Sequence, residues 1–243
     1  MASAAERRLV LDELSRLAMA DLVSLWRQVS VLPAPEFRAV MLDGLSEILA
    51  PYSFGAGEMA AQWYTDSAPE LKYRGVNFAE LDVGAVRGST EWALAAKGDA
   101  ALDRLGGMVV RHVFGGARQT TARNVVNEGR GAGWIRTANG NACKFCQMLV
   151  TRSETFYSSE KAATQVGFGG GGRVRGSQAH GDDYHDNCKC GSMEVRPGKS
   201  HTRPSYTEPW FGEYEAAQKL AGDLDFRAGE TATQRLMRAY RLL

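Results

Sequence analysis

The four cysteines of this chain lie in two tight groups, and this arrangement constrains the fold more than any other feature. Cys143 and Cys146 form a C-x2-C pair, and Cys188 and Cys190 form a C-x-C pair that follows His185. A C-x2-C step lets two thiolates fall on one side of a tight turn, as a tetrahedral zinc ion requires of neighbouring ligands. We therefore predict a structural zinc site in this part of the chain.

The five candidate ligands exceed the four that a closed structural zinc site uses. An extended backbone would point the side chains of Cys188 and Cys190 in opposite directions, so both can bind one ion only at a turn. We expect Cys143, Cys146 and Cys190 to be ligands, with His185 or Cys188 completing the site. Two disulfides or free thiols are the alternatives. The sequence opens without a secretory signal, which favours a reducing compartment and therefore the metal.

The charge of the chain is small overall but unevenly distributed. A net charge of +1 over 243 residues predicts no strong global attraction to nucleic acid or membranes. Residues 1–80 carry 7 basic and 11 acidic side chains, whereas residues 81–203 carry 17 basic and 11 acidic side chains. No apolar run approaches the roughly 20 residues that a membrane span needs, so we expect no membrane partner.

Apolar residues recur at steps of three and four along the first third of the chain, which is typical of amphipathic helices. The pattern predicts three helices, over residues 5–30, 36–49 and 55–67. Pro35 suits the first turn of the second helix, and Pro51 is expected to end it. Because short helices need tertiary packing to persist, we expect residues 1–68 to form a helical bundle region.

Residues 69–132 are expected to form a second helical region with a basic face, after an irregular segment over residues 69–78. Arg104, Arg111 and Arg118 recur every seventh residue and would share one side of a continuous helix. This face predicts either a solvated surface or a contact with DNA phosphates or an acidic partner. The residues assigned to such a contact are Arg104, Arg111, Arg118, Arg123, Arg130, Arg173 and Arg175.

Two glycine pairs, Gly106-Gly107 and Gly115-Gly116, interrupt the helical pattern over residues 79–127. Each glycine lowers helix propensity by about 1 kcal/mol relative to alanine. We expect the pairs to mark a close helix contact or a bend, within a helical stretch of two or three pieces.

Residues 133–196 are predicted to form a small zinc-stapled α+β module. Trp134 to Thr137 is typical of a strand, Asn139-Gly140 is a strong turn signal, and Met193 to Val195 is expected to be a closing strand. The C-x2-C pair follows the turn directly, as in small zinc folds whose core is too small to be stable without the ion. Residues 197–243 are predicted to form a linker followed by two polar helices. Taken together, these regions predict an α+β fold class that is mainly helical.

The sequence lacks the motifs of common enzymes. It contains no nucleophile elbow, no metalloprotease helix and no cofactor fingerprint, so we expect no small-molecule substrate. The glycine run over residues 167–172 lacks the lysine and the helix of a phosphate-binding loop, and we interpret it as a surface linker. A cysteine hydrolase built from Cys146 and His185 would leave the other three cysteines unexplained. We therefore do not expect an enzyme.

Three stretches resemble the Mu F-like minor head proteins of tailed bacteriophages, and most of all the version found in phages of actinobacteria. These stretches are Gly133-Trp134-Ile135-Arg136, Cys143-Lys144-Phe145-Cys146 and Tyr184-His185-Asp186-Asn187-Cys188-Lys189-Cys190. The resemblance implies a structural minor capsid protein that acts in head morphogenesis, with the five Cys and His residues as its presumed metal site. In many such proteins a proline follows the histidine, where this chain has Asp186.

The same resemblance implies where the chain acts and what it meets. It implies a place inside the capsid of the virion near the portal, and in the host cytoplasm during assembly. The implied partners are the portal protein or the major capsid protein, and packaged double-stranded DNA whose ejection the chain would aid. The implied cofactor is structural zinc. The alternatives are a capsid maturation protease, for which no recognisable triad is present, and a zinc-dependent nucleic-acid-binding module.

Overall fold

The computed structural model describes residues 2–151 and 189–243, together with the backbone of residues 168–169 and 173–174. The described chain is mainly helical with small antiparallel sheets, which confirms the mainly helical α+β class. None of the described helices combines the length and the apolarity that a membrane crossing requires.

Helix α1 (Ala4–Val29) begins at a capping box. The Ser3 hydroxyl accepts a hydrogen bond from the Glu6 backbone N–H at 3.2 Å, and the Glu6 carboxylate accepts one from the Ser3 N–H at 2.7 Å. The buried apolar positions of α1 follow steps of seven and four: Leu11, Ala18, Leu22 and Val29. The helix predicted over residues 5–30 is therefore confirmed.

Helix α2 (Ala34–Asp66) is one continuous helix where two were predicted. Pro35 lies in its first turn as expected, but Pro51 lies inside the helix and does not end it. Proline costs about 3 kcal/mol in a helix interior, because it lacks an N–H and its ring crowds the preceding turn. Pro51 is exposed, while Leu49 and Ser53 on either side of it are buried. Packing on both sides of the proline therefore keeps the helix continuous, and the prediction of a break was wrong.

An irregular segment over residues 67–82, longer than the predicted 69–78, leads to α3 (Val83–Ala93) and α4 (Asp99–Glu128). Helix α4 is central, since it packs against α1, α2 and α3 as well as against the sheet. Gly116 of α4 marks a close helix contact, because a Cβ there would lie 2.1 Å from the Ser53 carbonyl oxygen of α2.

One apolar core joins the four long helices. It extends from Leu11 on α1 to Ala117 on α4 and includes Val86 of α3. This core crosses residue 68, where the sequence suggested a boundary between helical regions, and the division of the chain into domains stays a prediction.

Strand β1 (Gly133–Thr137) pairs antiparallel with β4 (Gly191–Val195), with Gly133 opposite Val195 and Thr137 opposite Gly191. Both strands were predicted. A second antiparallel pair is formed by β2 (Phe168–Gly169) and β3 (Arg173–Val174), at the two sides of the glycine-rich run. The rest of that run, and the short helix predicted over residues 158–165, lie outside the described residues.

The C-terminal tail forms a 3-10 turn (Ser205–Thr207), helix α6 (Glu208–Asp223) and helix α7 (Ala232–Tyr240). The two predicted tail helices are therefore confirmed. They pack against the short helix α5 (Lys144–Thr151), whose Met148 shares a buried apolar cluster with Ala217 of α6 and with α7. Lys144 of α5 also forms an ion pair with Glu213 of α6. Helix α5 thus lies between the sheet and the tail.

Candidate metal centre and the body behind it

The first cysteine pair lies at the start of helix α5. The Asn139 carbonyl accepts a hydrogen bond from the Ala142 N–H at 3.0 Å, which forms the predicted turn just before the helix. The Gln147 N–H donates to the Cys143 carbonyl at 2.9 Å, so Cys143 directly precedes the helix and Cys146 lies in its first turn. The N-terminus of a helix carries the positive end of its dipole, which favours thiolates near it.

The second described part of the candidate site is Cys190, which directly precedes β4. Cys190 and Cys146 are both buried in one apolar cluster, together with Ala138, Val150 and Trp210. The chain therefore brings together two of its predicted ligands, although 43 positions of sequence separate them. Cys143, by contrast, is exposed at the surface.

The donor set fits zinc by its chemistry, but the structure shows only part of it. His185 and Cys188 lie outside the described residues, as do the loop acids Asp182, Asp183 and Asp186. Among the residues that the structure describes, no group of three or more Cys, His, Asp or Glu side chains is arranged to hold a metal ion. The zinc site therefore stays a prediction, for which the shared cluster of Cys146 and Cys190 supplies the geometric starting point.

The predicted basic face of α4 is largely turned towards the rest of the protein. Arg104 stacks on the Trp92 ring with its guanidinium carbon 4.5 Å from the ring centre, and Arg111 donates to the Ser89 hydroxyl at 2.9 Å. Both contacts reach α3. Arg118 is only 2% exposed and donates to the Cys190 carbonyl at 3.0 Å. The three arginines do share one side of the helix, but this side covers α3 and the approach to β4.

The other predicted contact residues have different environments. Arg123 is partly buried near the end of α4, and Arg130 is exposed just beyond it. The side chains of Arg173 and Arg175 lie outside the described residues. Of the predicted contact arginines whose side chains are described, Arg130 is the one in an exposed position, where a phosphate or an acidic partner could reach it.

Sequence reasoning missed two buried ion pairs that attach β4 and the residue after it to the helices. Arg7 of α1 donates to both oxygens of the Glu194 carboxylate, at 2.6 and 2.7 Å. Arg196 donates to both oxygens of Glu128 at the end of α4, at 2.6 and 2.8 Å. Tyr64 of α2 also donates to Glu128, at 2.6 Å. The alternation of a carboxylate and a guanidinium at positions 194 and 196 was the available signal, since both side chains fall on one face of a strand.

Sequence reasoning also missed how α4 holds the irregular segment before α3. Asn124 accepts a hydrogen bond from the Val76 N–H at 2.9 Å and donates to the Val76 carbonyl at 2.7 Å. Thr120 accepts from the Phe78 N–H at 3.1 Å, and Gln119 accepts from the Glu80 N–H at 2.7 Å. Side chains of α4 thus supply the partners that a neighbouring strand would give to this extended backbone.

The two described histidines, His112 and His201, are not among the predicted metal ligands. His112 is buried in α4, and burial, with Arg111 and Arg118 nearby, lowers its pKa to about 3. Burial and then Arg203 lower the pKa of His201, which is half-buried in the segment before the tail. His112 is therefore a neutral core residue at physiological pH.

Comparison with known proteins bears on the whole of this architecture. No curated protein and no solved structure matches the chain. A family model described as VG15 protein matches residues 1–217, which include the four long helices, both cysteine groups and most of α6. The chain therefore belongs to the VG15 protein family, a family of phage gene products.

Proposed function

We propose that this chain is a structural minor capsid protein of a tailed phage, which acts in head morphogenesis from a position inside the head near the portal. The observation that carries the proposal is the family match over residues 1–217, a single span that joins the helical body to both cysteine groups. The resemblance of residues 133–136, 143–146 and 184–190 to Mu F-like minor head proteins supports the finer assignment. In this role the chain contacts the portal or the major capsid protein, and it meets packaged DNA.

The fold is suited to a structural role because its parts are firmly joined. One apolar core runs through the four long helices, and two buried bidentate ion pairs attach residues 194 and 196 to that core. The tail helices pack on α5 in turn. The helices, the sheet and the tail are therefore connected to one another by buried contacts.

The test of this proposal is quantitative mass spectrometry of purified mature particles of the encoding phage, with peptides mapped along the whole chain. We expect the intact chain at a few to a few tens of copies per particle. Deletion of the gene should leave particles defective in assembly or infectivity. Absence of the chain from mature particles, together with unchanged infectivity of the deletion phage, would refute the structural role.

A structural role also separates this proposal from a capsid maturation protease. We expect Cys146→Ala to leave cleavage of the major capsid protein unchanged, because the proposal gives Cys146 no catalytic part. If cleavage stops while the variant keeps its fold and its metal content, the protease assignment is correct instead. Circular dichroism and metal analysis of the purified variant supply these two controls.

We further propose that the cysteine region binds one structural zinc ion through Cys143, Cys146 and Cys190, with His185 or Cys188 as the fourth ligand. The supporting observations are the position of the C-x2-C pair at the N-terminus of α5 and the burial of Cys146 and Cys190 in one cluster. Elemental analysis of chain purified without chelators should find one zinc per chain. Cys190→Ser should lower this ratio, whereas replacing His201, which is not among the predicted ligands, by Gln should leave it at one. A full-length, folded chain without zinc would refute the metal site.

A further inference from the structure

Two adjoining cavities lie where helix α1 begins. The first, of about 130 Å³, is enclosed by α1, α4 and the start of β4. The second, of about 80 Å³, lies between β1 and the segment before the tail helices. Ala4, Thr137, Ala138 and Tyr206 line both cavities, so the two are neighbours across a common wall. We call the two cavities together the basic cleft.

The lining of the basic cleft is strongly cationic. Six guanidinium or ammonium groups line it, and no carboxylate of the described residues does: Arg7, Arg8, Arg118, Arg136, Lys189 and Arg203. Two carboxylates lie just behind this lining. Glu194 is bound by Arg7, and Asp12 lies 2.9 Å from the Lys189 ammonium and 3.6 Å from the Arg8 guanidinium. Positive charge therefore exceeds negative charge around the cleft, within the described part of the chain.

Part of the wall of the first cavity is apolar. Its walls include Leu11, Trp63 and Phe114, which are all buried in the helical body. An apolar cavity of about 150 Å³ holds a molecule of benzene, so this cavity has room for one apolar side chain. Arg8 and Lys189 retain 31% and 46% side-chain exposure, which leaves both charges accessible to a ligand.

The combination of accessible cations and an apolar wall favours a peptide ligand over a nucleic acid. Phosphates would be attracted to the cations, but their binding is electrostatic and gains nothing from an apolar cavity. Bases stack on accessible aromatic faces, whereas Trp63 and Phe114 are buried. An apolar side chain that enters a desolvated pocket, surrounded by complementary charges, is the usual anchor of a protein contact.

We propose that the basic cleft binds an acidic peptide segment of a partner protein. One apolar side chain of the segment enters the first cavity, and carboxylates on either side of it pair with Arg8 and Lys189. The inference rests on the proposed function only in taking the partner to be another virion protein. Binding of the segment itself is a property of the isolated chain.

The test uses the full-length chain and fluorescein-labelled peptides of twelve residues, measured by fluorescence anisotropy at physiological salt. The main probe repeats Asp-Asp-Leu, one control peptide repeats Asp-Asp-Ser, and another repeats Asn-Asn-Leu. We expect the probe to bind at least tenfold more tightly than either control peptide. Hydrogen exchange should slow in residues 4–11 and 137–140 when the probe binds.

Variants locate the contact. The double substitution Arg8→Gln with Lys189→Gln should weaken probe binding at least fivefold. Lys72→Gln with Lys97→Gln removes the same charge at exposed positions away from the cleft and should leave binding unchanged. Thermal denaturation checks that both double variants are folded, as expected because partly exposed ion pairs contribute little stability.

Three results would overturn the proposal. Equal binding of the serine peptide would show plain electrostatic attraction without the apolar pocket. Equal weakening by both double variants would show that the cleft is not the contact. Tighter binding of a labelled twelve-base DNA, weakened by the Arg8 and Lys189 substitutions, would assign the cleft to nucleic acid. None of these results depends on whether the chain is found in mature particles.

Discussion

The burial of His112 should make the stability of this protein depend on pH. His112 is 6% exposed on the central helix, and its pKa is lowered from 6.5 to about 3 by burial and then by Arg111 and Arg118, with Asp82 opposing them. The imidazole is therefore neutral in the folded chain down to about pH 3, but takes up a proton below about pH 6.5 in the unfolded chain. Between these values the unfolded state binds more protons, so the free energy of unfolding falls as the pH falls.

The size of the effect follows from the two pKa values. One unit of pKa corresponds to about 1.4 kcal/mol, so lowering the pH from 7.5 to 5 should cost about 2 kcal/mol through His112 alone. Urea unfolding followed by tryptophan fluorescence measures the free energy of unfolding at pH 7.5, 6 and 5. The variant His112→Gln cannot take up this proton, so its free energy of unfolding should fall by about 2 kcal/mol less over the same range.

The comparison isolates one residue, because every other titrating group is common to both proteins and cancels in the difference. His201→Gln is the matched control, since His201 is half-buried and less shielded from water. It should change the pH dependence less than His112→Gln does. Parallel pH profiles for the wild-type chain and His112→Gln would refute the argument that this imidazole is buried in its neutral form.

Three further predictions test the packing. Gly116→Ala places a Cβ 2.1 Å from the Ser53 carbonyl oxygen and should destabilise the chain by about 1–3 kcal/mol in urea unfolding. In the control Gly115→Ala, the added Cβ meets no atom outside its own helix backbone nearer than 4.0 Å, and the substitution should stabilise the chain by up to about 1 kcal/mol. Equal effects of the two substitutions would contradict the close helix contact. Glu128→Gln should cost about 3–5 kcal/mol, because it leaves Arg196 buried beside a neutral amide. Asp43→Asn, at the exposed pair with Arg87, should cost less than about 1 kcal/mol by the same measurement. Asn124→Ala should speed hydrogen exchange at the Val76 amide at least tenfold, while amides of α1 stay unchanged; an unaffected Val76 amide would show that the side chain does not hold this segment.

Much of the secondary structure could be predicted because its causes are local. The apolar spacing of α1 and its Ser3–Glu6 capping box are both visible in a short window of sequence. The same holds for β1 and for the turn at Asn139, where residue types alone favour the observed backbone. Helix α1 and the β1–β4 sheet were therefore recognisable without any knowledge of tertiary contacts.

The continuity of α2 could not be predicted, because its cause is not local. A proline such as Pro51 strongly destabilises the interior of an isolated helix. A short window of sequence does not show that Leu49 and Ser53, on either side of it, are both buried. The part of α2 that follows the proline packs closely on α4 where Ser53 meets Gly116, and these two residues are 63 positions apart. Tertiary packing overrides local propensity here, as it often does in long helices.

The same reason explains what was missed around the cysteines. Spacing alone suggested that Cys146 and Cys190 meet, and the structure places both in one apolar cluster. Spacing could not show that Arg118 is buried against the Cys190 carbonyl, because an arginine repeat on a helix looks the same whether it faces solvent or another element. Nor could spacing show that Arg7 pairs with Glu194, 187 positions away, or that Arg196 pairs with Glu128, 68 positions away.

These long-range contacts change what the zinc site would have to do. An isolated small zinc module folds only when the ion is bound, as the sequence first suggested for residues 133–196. Here β4 has other attachments, since Glu194 is bound by Arg7 and Arg196 is bound by Glu128, both in the interior. The sheet also packs on α4, and α5 packs on the tail helices. We therefore infer that the position of β4 depends first on these ion pairs, and that a bound zinc would chiefly hold α5 and Cys190 together at the surface of an already folded body.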